Sequence, residues 1–240
     1  MKLTKRTVLI DYIPALLFFC AITVLAIITR QMFIKVLPCL LTLVIMMLCS
    51  NVNRWGYILA VINNLIYAVG FAYEGLYGSV ASCILLNVPA CFLTFVMWSK
   101  YRDRHGATIR KMNAKQRLAG AVVTLIVWAA VYFITVDISG ASDLIILDSL
   151  GFALSLIIIA GTMFAFMEAP ALNILSCSSA LVVWCILTAR DPKGITYLLV
   201  NIYNLYRVII ALYNHIKLYN LQKADRCRSA ELNEQLKTEI

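Results

Sequence analysis

The sequence predicts an all-α, polytopic membrane protein with about eight transmembrane helices, and three observations carry that prediction. The 240 residues are 62% hydrophobic and only 14% charged, with a mean hydropathy of +0.85, whereas a soluble domain is roughly half apolar and about a quarter charged. The apolar residues fall into eight runs, each close to the roughly 20 residues that a spanning helix needs. None of these runs shows the period-two alternation of a barrel strand, and in lipid only helices and closed barrels satisfy every backbone group. The spans consume most of the chain, so no soluble catalytic domain fits between them. Five prolines and ten glycines are too few for collagen or for a disordered chain.

The first run, 8–29, follows Lys2, Lys5 and Arg6. It is too long for a signal-peptide core, lacks a small-residue cleavage site and is followed at once by another span, so it reads as a retained helix. Runs 32–50, 56–75 and 77–98 then make a triplet with short turns, and a basic loop follows at 99–117. Run 118–136 stands alone as a linker helix. A second triplet, 145–168, 169–189 and 195–219, ends the membrane domain, and the charged tail 220–240 reads as a frayed, solvated helix. Counting crossings gives the two triplets the same orientation, which the odd linker helix makes possible. Each triplet's last helix opens after a glycine-containing turn, Gly75-Leu76-Tyr77 in one and Gly194-Ile195-Thr196 in the other. Parallel repeats of this kind hold a substrate near the midplane between the halves.

Basic residues set the orientation. With the N-terminus inside, sixteen of the 21 basic residues fall on the cytoplasmic side, seven of them in the 99–117 loop, against four outside, while Arg207 lies within the last span. That asymmetry puts both termini in the cytoplasm. The same placement explains the net charge of +9 without a nucleic-acid partner: a basic loop between two spans anchors topology and meets anionic lipid. Seven of the eight cysteines sit in apolar runs with no C-x-x-C pair, which gives neither a disulfide framework nor a metal site. No cofactor is expected. A membrane-embedded lipid head-group enzyme, the rival class, would need convergent metal ligands or acid–base pairs. The chain offers two histidines, His105 in a loop and His215 near the inner end of the last span, so the expectation is a protein that is not an enzyme.

Polar side chains inside the spans are costly and mark a cavity or a helix interface. Asn63, Tyr67, Gly70 and Glu74 share one helical face, and Ser79, Ser82, Cys83, Asn87, Ala90 and Thr94 form a second, milder stripe. Tyr197, Asn201, Asn204 and Arg207 make a third in the last span. The expectation is that Asn63, Tyr67, Asn87, Asn201 and Asn204 face one midplane cavity with Arg207 just below it. Amides and hydroxyls there would suit a solute with a planar ring and a sugar, and Tyr67, Trp98 and Trp184 offer faces for stacking. Trp98, beside Ser99 and Lys100, is equally placed to anchor the membrane interface. Arg207 needs a partner, for which Asp148 is one candidate. Asp11 and Asp148 lie near span ends, Glu74 at an outer end and Glu168 near a turn, so acids at mid-depth are scarce and uncoupled, facilitated transport is favoured.

The run from Arg54 to Tyr101 resembles the central block of the Pnu family of bacterial vitamin transporters. The matching features are Asn63 followed by Tyr67-Ala68, the Leu76-Tyr77-Gly78 turn, Leu86-Asn87 and Trp98. The order of one helix, a triplet, one helix and a triplet extends the likeness over nearly the whole chain. Where the family usually shows W-x-x-W before a valine-asparagine pair, this chain has Phe164, Phe166, Ala169 and Asn173, and Thr94 replaces a frequent glutamine. The resemblance implies a fold similar to SWEET sugar transporters and a nucleoside bound between the two bundles. It also implies facilitated uptake of nicotinamide riboside across the bacterial inner membrane with trapping by phosphorylation, and a homo-oligomer, a trimer as in the family. Thiamine and riboflavin are alternative substrates on the same scaffold.

Overall fold

The structure is a computed structural model that describes residues 8–73, 80, 82–103, 106–139, 143–190 and 192–238. Among these, eight α-helices account for nearly the whole chain. They are α1 (Ile13–Ile28), α2 (Phe33–Ser50), α3 (Trp55–Tyr73), α4 (Val88–Lys100), α5 (Ala114–Ser139), α6 (Asp143–Met163), α7 (Ala169–Arg190) and α8 (Ile195–Thr238). Wider π-helical turns lead into α1 (Val8–Tyr12) and α4 (Ser82–Asn87), and a single 3₁₀ turn, Pro192–Gly194, leads into α8. Six helical segments are long and apolar enough to cross a membrane, and the apolar stretches Trp55–Gly70 and Ser149–Met163 supply two shorter ones. Outward-facing residues such as Leu16, Ile27, Leu125 and Phe133 are large, apolar and exposed, as a lipid-facing surface requires. Lys2, Lys5, Arg6, Glu74, the Gly75-Leu76-Tyr77 turn and its following Gly78, Ser79 and His105 lie outside the described residues.

Six helices close a ring. α2 packs on α3, α3 on α4, α4 on α6, α6 on α7, α7 on α8, and α8 returns to α2. α1 lies outside the ring over the α2–α8 seam, where Ile22, Leu43 and Tyr203 form a buried cluster and the Tyr203 hydroxyl donates to the Leu43 carbonyl at 3.1 Å. α5 packs along the outside of α6. Pro38 inside α2 cannot donate to the Ile34 carbonyl, and Gly70 of α3 lets that helix approach the same carbonyl.

One helix end departs from what hydropathy suggests. α6 stops at Met163, so the expected 145–168 span is cut short by a turn through Phe164–Glu168. The apolar expectation 77–98 corresponds, among the described residues, to helix from Ser82 to Lys100. The 220–240 tail, read as a frayed, solvated helix, is helical through Thr238 and continues α8 without a break. The ends of α1, α2 and α6 share one device: Arg30, Val52 and Ala165 adopt positive φ of 50°, 55° and 54°. Each is followed by a residue whose N–H reaches back to a carbonyl in the last turn, Gln31 to Ala26, Asn53 to Leu48 and Phe166 to Gly161. This is the Schellman closure. It is normally signalled by glycine, which none of the three positions carries.

The 99–117 segment is structured as well as basic. Strands β1 (Arg102–Asp103) and β2 (Gly106–Ala107) pair antiparallel, and Arg110 then exchanges backbone bonds with Ala165 and Met167. Asn113 and Gln116 cap α5 reciprocally, each side chain accepting from the other's N–H. Glu168 accepts from the Met112 N–H and from Arg117 at 2.7 Å. Gln222 of α8 clamps the same segment, accepting from the Ile109 N–H and donating to the Ala107 carbonyl. Loop, α6–α7 turn and α8 extension are thereby joined at one end of the ring.

Candidate functional site

A cavity of about 260 Å³ lies inside the ring and is lined by residues from all six of its helices. Substrate pockets usually start near 300 Å³, so this one suits a small, well-enclosed solute. Its wall is mostly apolar, with polar groups contributed by Ser50, Tyr57, Thr94, Asn173, Arg207 and His215. Trp98 props the lining from behind. Its ring meets Tyr57 edge-on at 5.0 Å and His215 at 6.2 Å, and its Nε1–H donates to the Thr162 carbonyl at 2.8 Å. Trp98 is 3% exposed, so it does not anchor the interface.

Arg207 is fully buried and every one of its donors is engaged. Nε donates to the Ser50 hydroxyl at 2.9 Å, and Nη2 donates to that same hydroxyl and to the Met47 carbonyl. Nη1 donates to Asp11 Oδ1 at 2.7 Å and, more weakly, to the Ile10 carbonyl. Guanidinium has five N–H groups and five contacts here. Asp148 was one candidate partner for Arg207; its acidic partner is instead Asp11, delivered by the π-turn ahead of α1. Hydropathy could not show that pairing, because it joins residues nearly 200 positions apart through the seam that α1 covers.

His215 is buried, and its Nδ1 lies 2.8 Å from the Ala211 carbonyl. A carbonyl only accepts, so Nδ1 carries the hydrogen, and in its neutral form the ring keeps an acceptor at Nε2. Asn173 Oδ1 accepts from the Cys177 thiol at 3.6 Å, and its Nδ2 has no partner among the described residues. Thr94 donates back to the Ala90 carbonyl. The site can therefore offer a ring face, an imidazole acceptor and an amide, and no unpaired charge among its described lining residues.

Of the eight residues expected at the site, Arg207 lines this cavity. Six of the others sit one to several turns farther from the basic-loop end, on the same ring helices. Asn63 and Tyr67 follow Tyr57 and Ala60 along α3, while Asn201 and Asn204 precede Arg207 along α8. Asn87 precedes Ala90 ahead of α4, and Trp184 follows Asn173 along α7. Asn63 Nδ2 donates to the Thr42 hydroxyl at 3.1 Å, but its buried Oδ1 has no partner, and the same holds for Asn204 Oδ1 among the described residues. Asn201 donates to the Tyr197 carbonyl, Tyr67 approaches the Cys39 thiol at 3.9 Å, and Trp184 stacks on Tyr197 at 4.8 Å. Trp98 is the eighth, behind the lining. Sequence reasoning missed Ser50, Tyr57 and His215. The signal for His215 was present, since Asn204, Arg207, Ala211 and His215 continue one helical stripe at i, i+3, i+7 and i+11.

The family model of the nicotinamide mononucleotide transporter matches residues 32–217 of this chain. The chain belongs to the nicotinamide mononucleotide transporter family. Membership makes it a multi-pass membrane transporter rather than an enzyme, in a family that handles nicotinamide-related small molecules. A solved structure titled as the crystal structure of the vitamin B3 transporter PnuC is similar to it with a TM-score of 0.69 at 18% identity. That match covers 86% of this chain and 90% of the other. The likeness establishes the fold. No curated protein matches the sequence. The family match begins after α1, so the helix that brings Asp11 to Arg207 lies outside the part this chain shares with the family model.

Proposed function

We propose that this family member carries nicotinamide riboside, rather than its phosphorylated mononucleotide, through the six-helix ring by facilitated diffusion. The observation that carries the reading is the state of Arg207. A phosphate brings charge and three acceptor oxygens that need cationic donors, and the one cation among the described lining residues has all its donors engaged and is neutralised by Asp11. The riboside has no phosphate, and its pyridinium ring suits an aromatic wall such as Tyr57 with an uncharged acceptor such as His215 beside it.

The closed ring supports the two-triplet organisation, since the first helix of each triplet adjoins the last helix of the other at both seams. The basic-residue count supports placing both termini and the 99–117 loop in the cytoplasm of a bacterium, with the membrane domain in its inner membrane. In that orientation the cavity is the inner part of the pathway, and Asn63, Tyr67, Asn87, Trp184, Asn201 and Asn204 line its outer part. The unpaired Oδ1 atoms of Asn63 and Asn204 support this, because a passing ribose hydroxyl would satisfy them.

Uptake of radiolabelled nicotinamide riboside, thiamine and riboflavin by vesicles holding the purified protein tests the reading. Riboside entry that survives an ionophore is expected, and entry of only another vitamin would reassign the substrate. Replacing Asn63 or Asn204 by leucine is expected to weaken riboside binding roughly 5- to 150-fold, since a polar group of the ligand loses its partner at a cost of about 1 to 3 kcal/mol. Unchanged affinity with a lowered melting temperature would make these amides part of the scaffold.

A further inference from the structure

A second concavity, about 610 Å³, lies on the outside of the ring between α5 and α7, with α6 as its floor. It shares no lining residue with the central cavity, because the two lie on opposite faces of the α6–α7 pair. Its deep part is apolar, formed by Gly120, Ala121, Ile157, Leu172 and Leu175, and its mouth at the basic-loop end carries Lys111 and Arg117. α5 contributes no buried residue over its apolar window, so this flank of the molecule is open to lipid.

The geometry points to a site for one anionic phospholipid, an acyl chain lying along the α5–α7 groove and the phosphate held at Lys111 and Arg117. Charge complementarity selects this occupant. Arg117 gives one donor to Glu168, whose carboxylate is also occupied by the Met112 N–H, so the sole acid of the mouth is already satisfied. Lys111 is exposed with no partner among the described residues, and exposed Lys115 stands one turn before the groove wall at Gly120. The mouth is thus net positive, at the end of the ring where the basic loop meets the membrane surface. Gly120 matters at the wall: a Cβ there would meet only Ile157 at 3.9 Å, so the space beside the α6 floor stays open. The inference needs the chain to be membrane-embedded and does not depend on the identity of the substrate.

Native mass spectrometry from mixed phosphatidylglycerol and phosphatidylcholine micelles tests it, with the melting temperature of each variant measured alongside as a check on folding. One retained phosphatidylglycerol per chain is expected in preference to phosphatidylcholine. Lys111→Gln should lower its retention about fivefold, as one basic residue at a membrane surface contributes. Gly120→Phe should block the groove and abolish retention while leaving the charge untouched. Equal retention of both lipids, or retention unaffected by Gly120→Phe, overturns the site. So does a chain dimer that Gly120→Phe dissociates, because a second copy would then be the occupant of the groove.

Discussion

Asp11→Ala is expected to destabilise the protein by about 3 to 5 kcal/mol, the usual effect of removing one partner from a buried ion pair. The loss leaves the Arg207 guanidinium buried without its counter-charge, with Ser50 and two carbonyls as its remaining partners. Because the cost lies in the stranded charge, adding Arg207→Met to Asp11→Ala should recover most of it. Thermal melting of the purified single and double variants in detergent reads both effects. A single variant that melts like the parent would mean the pair contributes nothing, and a double variant worse than the single would assign the loss to packing of α1. If the pair keeps Arg207 from binding phosphate, Asp11→Ala should also let the cavity accept the mononucleotide.

Gly56 is the second point of large sensitivity. A Cβ at this position would lie 2.6 Å from Cys49 Sγ and 3.1 Å from the Cys49 backbone nitrogen, so α3 can approach the end of α2 only with glycine here. Gly56→Ala is expected to cost about 1 to 3 kcal/mol through overpacking, and to weaken substrate binding, since Cys49 and Tyr57 on either side of the contact line the cavity. Cys49→Ala combined with Gly56→Ala should restore part of the stability, because it removes the sulfur and leaves the backbone contact. Unfolding in a denaturant series separates the outcomes: a Gly56→Ala protein as stable as the parent would show that the helices move apart without cost.

The spans were legible because lipid imposes one rule on every helix, a long apolar run, which six of the described helical segments obey in full and α3 and α6 obey over shorter stretches. The end of α6 was not, since Ala165 takes the left-handed conformation without the glycine that would announce it. The continuation of α8 past residue 219 escaped hydropathy for a different reason. From Lys223 to Ser229 the helix is mostly polar and exposed, and it is anchored at Gln222 by bonds to a loop more than a hundred residues earlier. In the last span, periodicity grouped Arg207 with Asn201 and Asn204 on one face, and Arg207 lines the cavity, but periodicity carries no depth. It could not say that the cavity sits beside Tyr57 and His215 rather than a turn or two away at Asn63 and Asn201. Nor could it pair Arg207, whose counter-ion arrives from a helix ahead of the family-matched region.

Equilibrium binding of nicotinamide riboside and nicotinamide mononucleotide to the same purified protein tests the central claim most directly. With Arg207 engaged by Asp11 and Ser50, the phosphate would enter a mostly apolar cavity without free cationic donors, so the riboside should bind more than about tenfold tighter, the least that an unpaired charged group costs. Mononucleotide binding as tight as that of the riboside, or tighter, would contradict it.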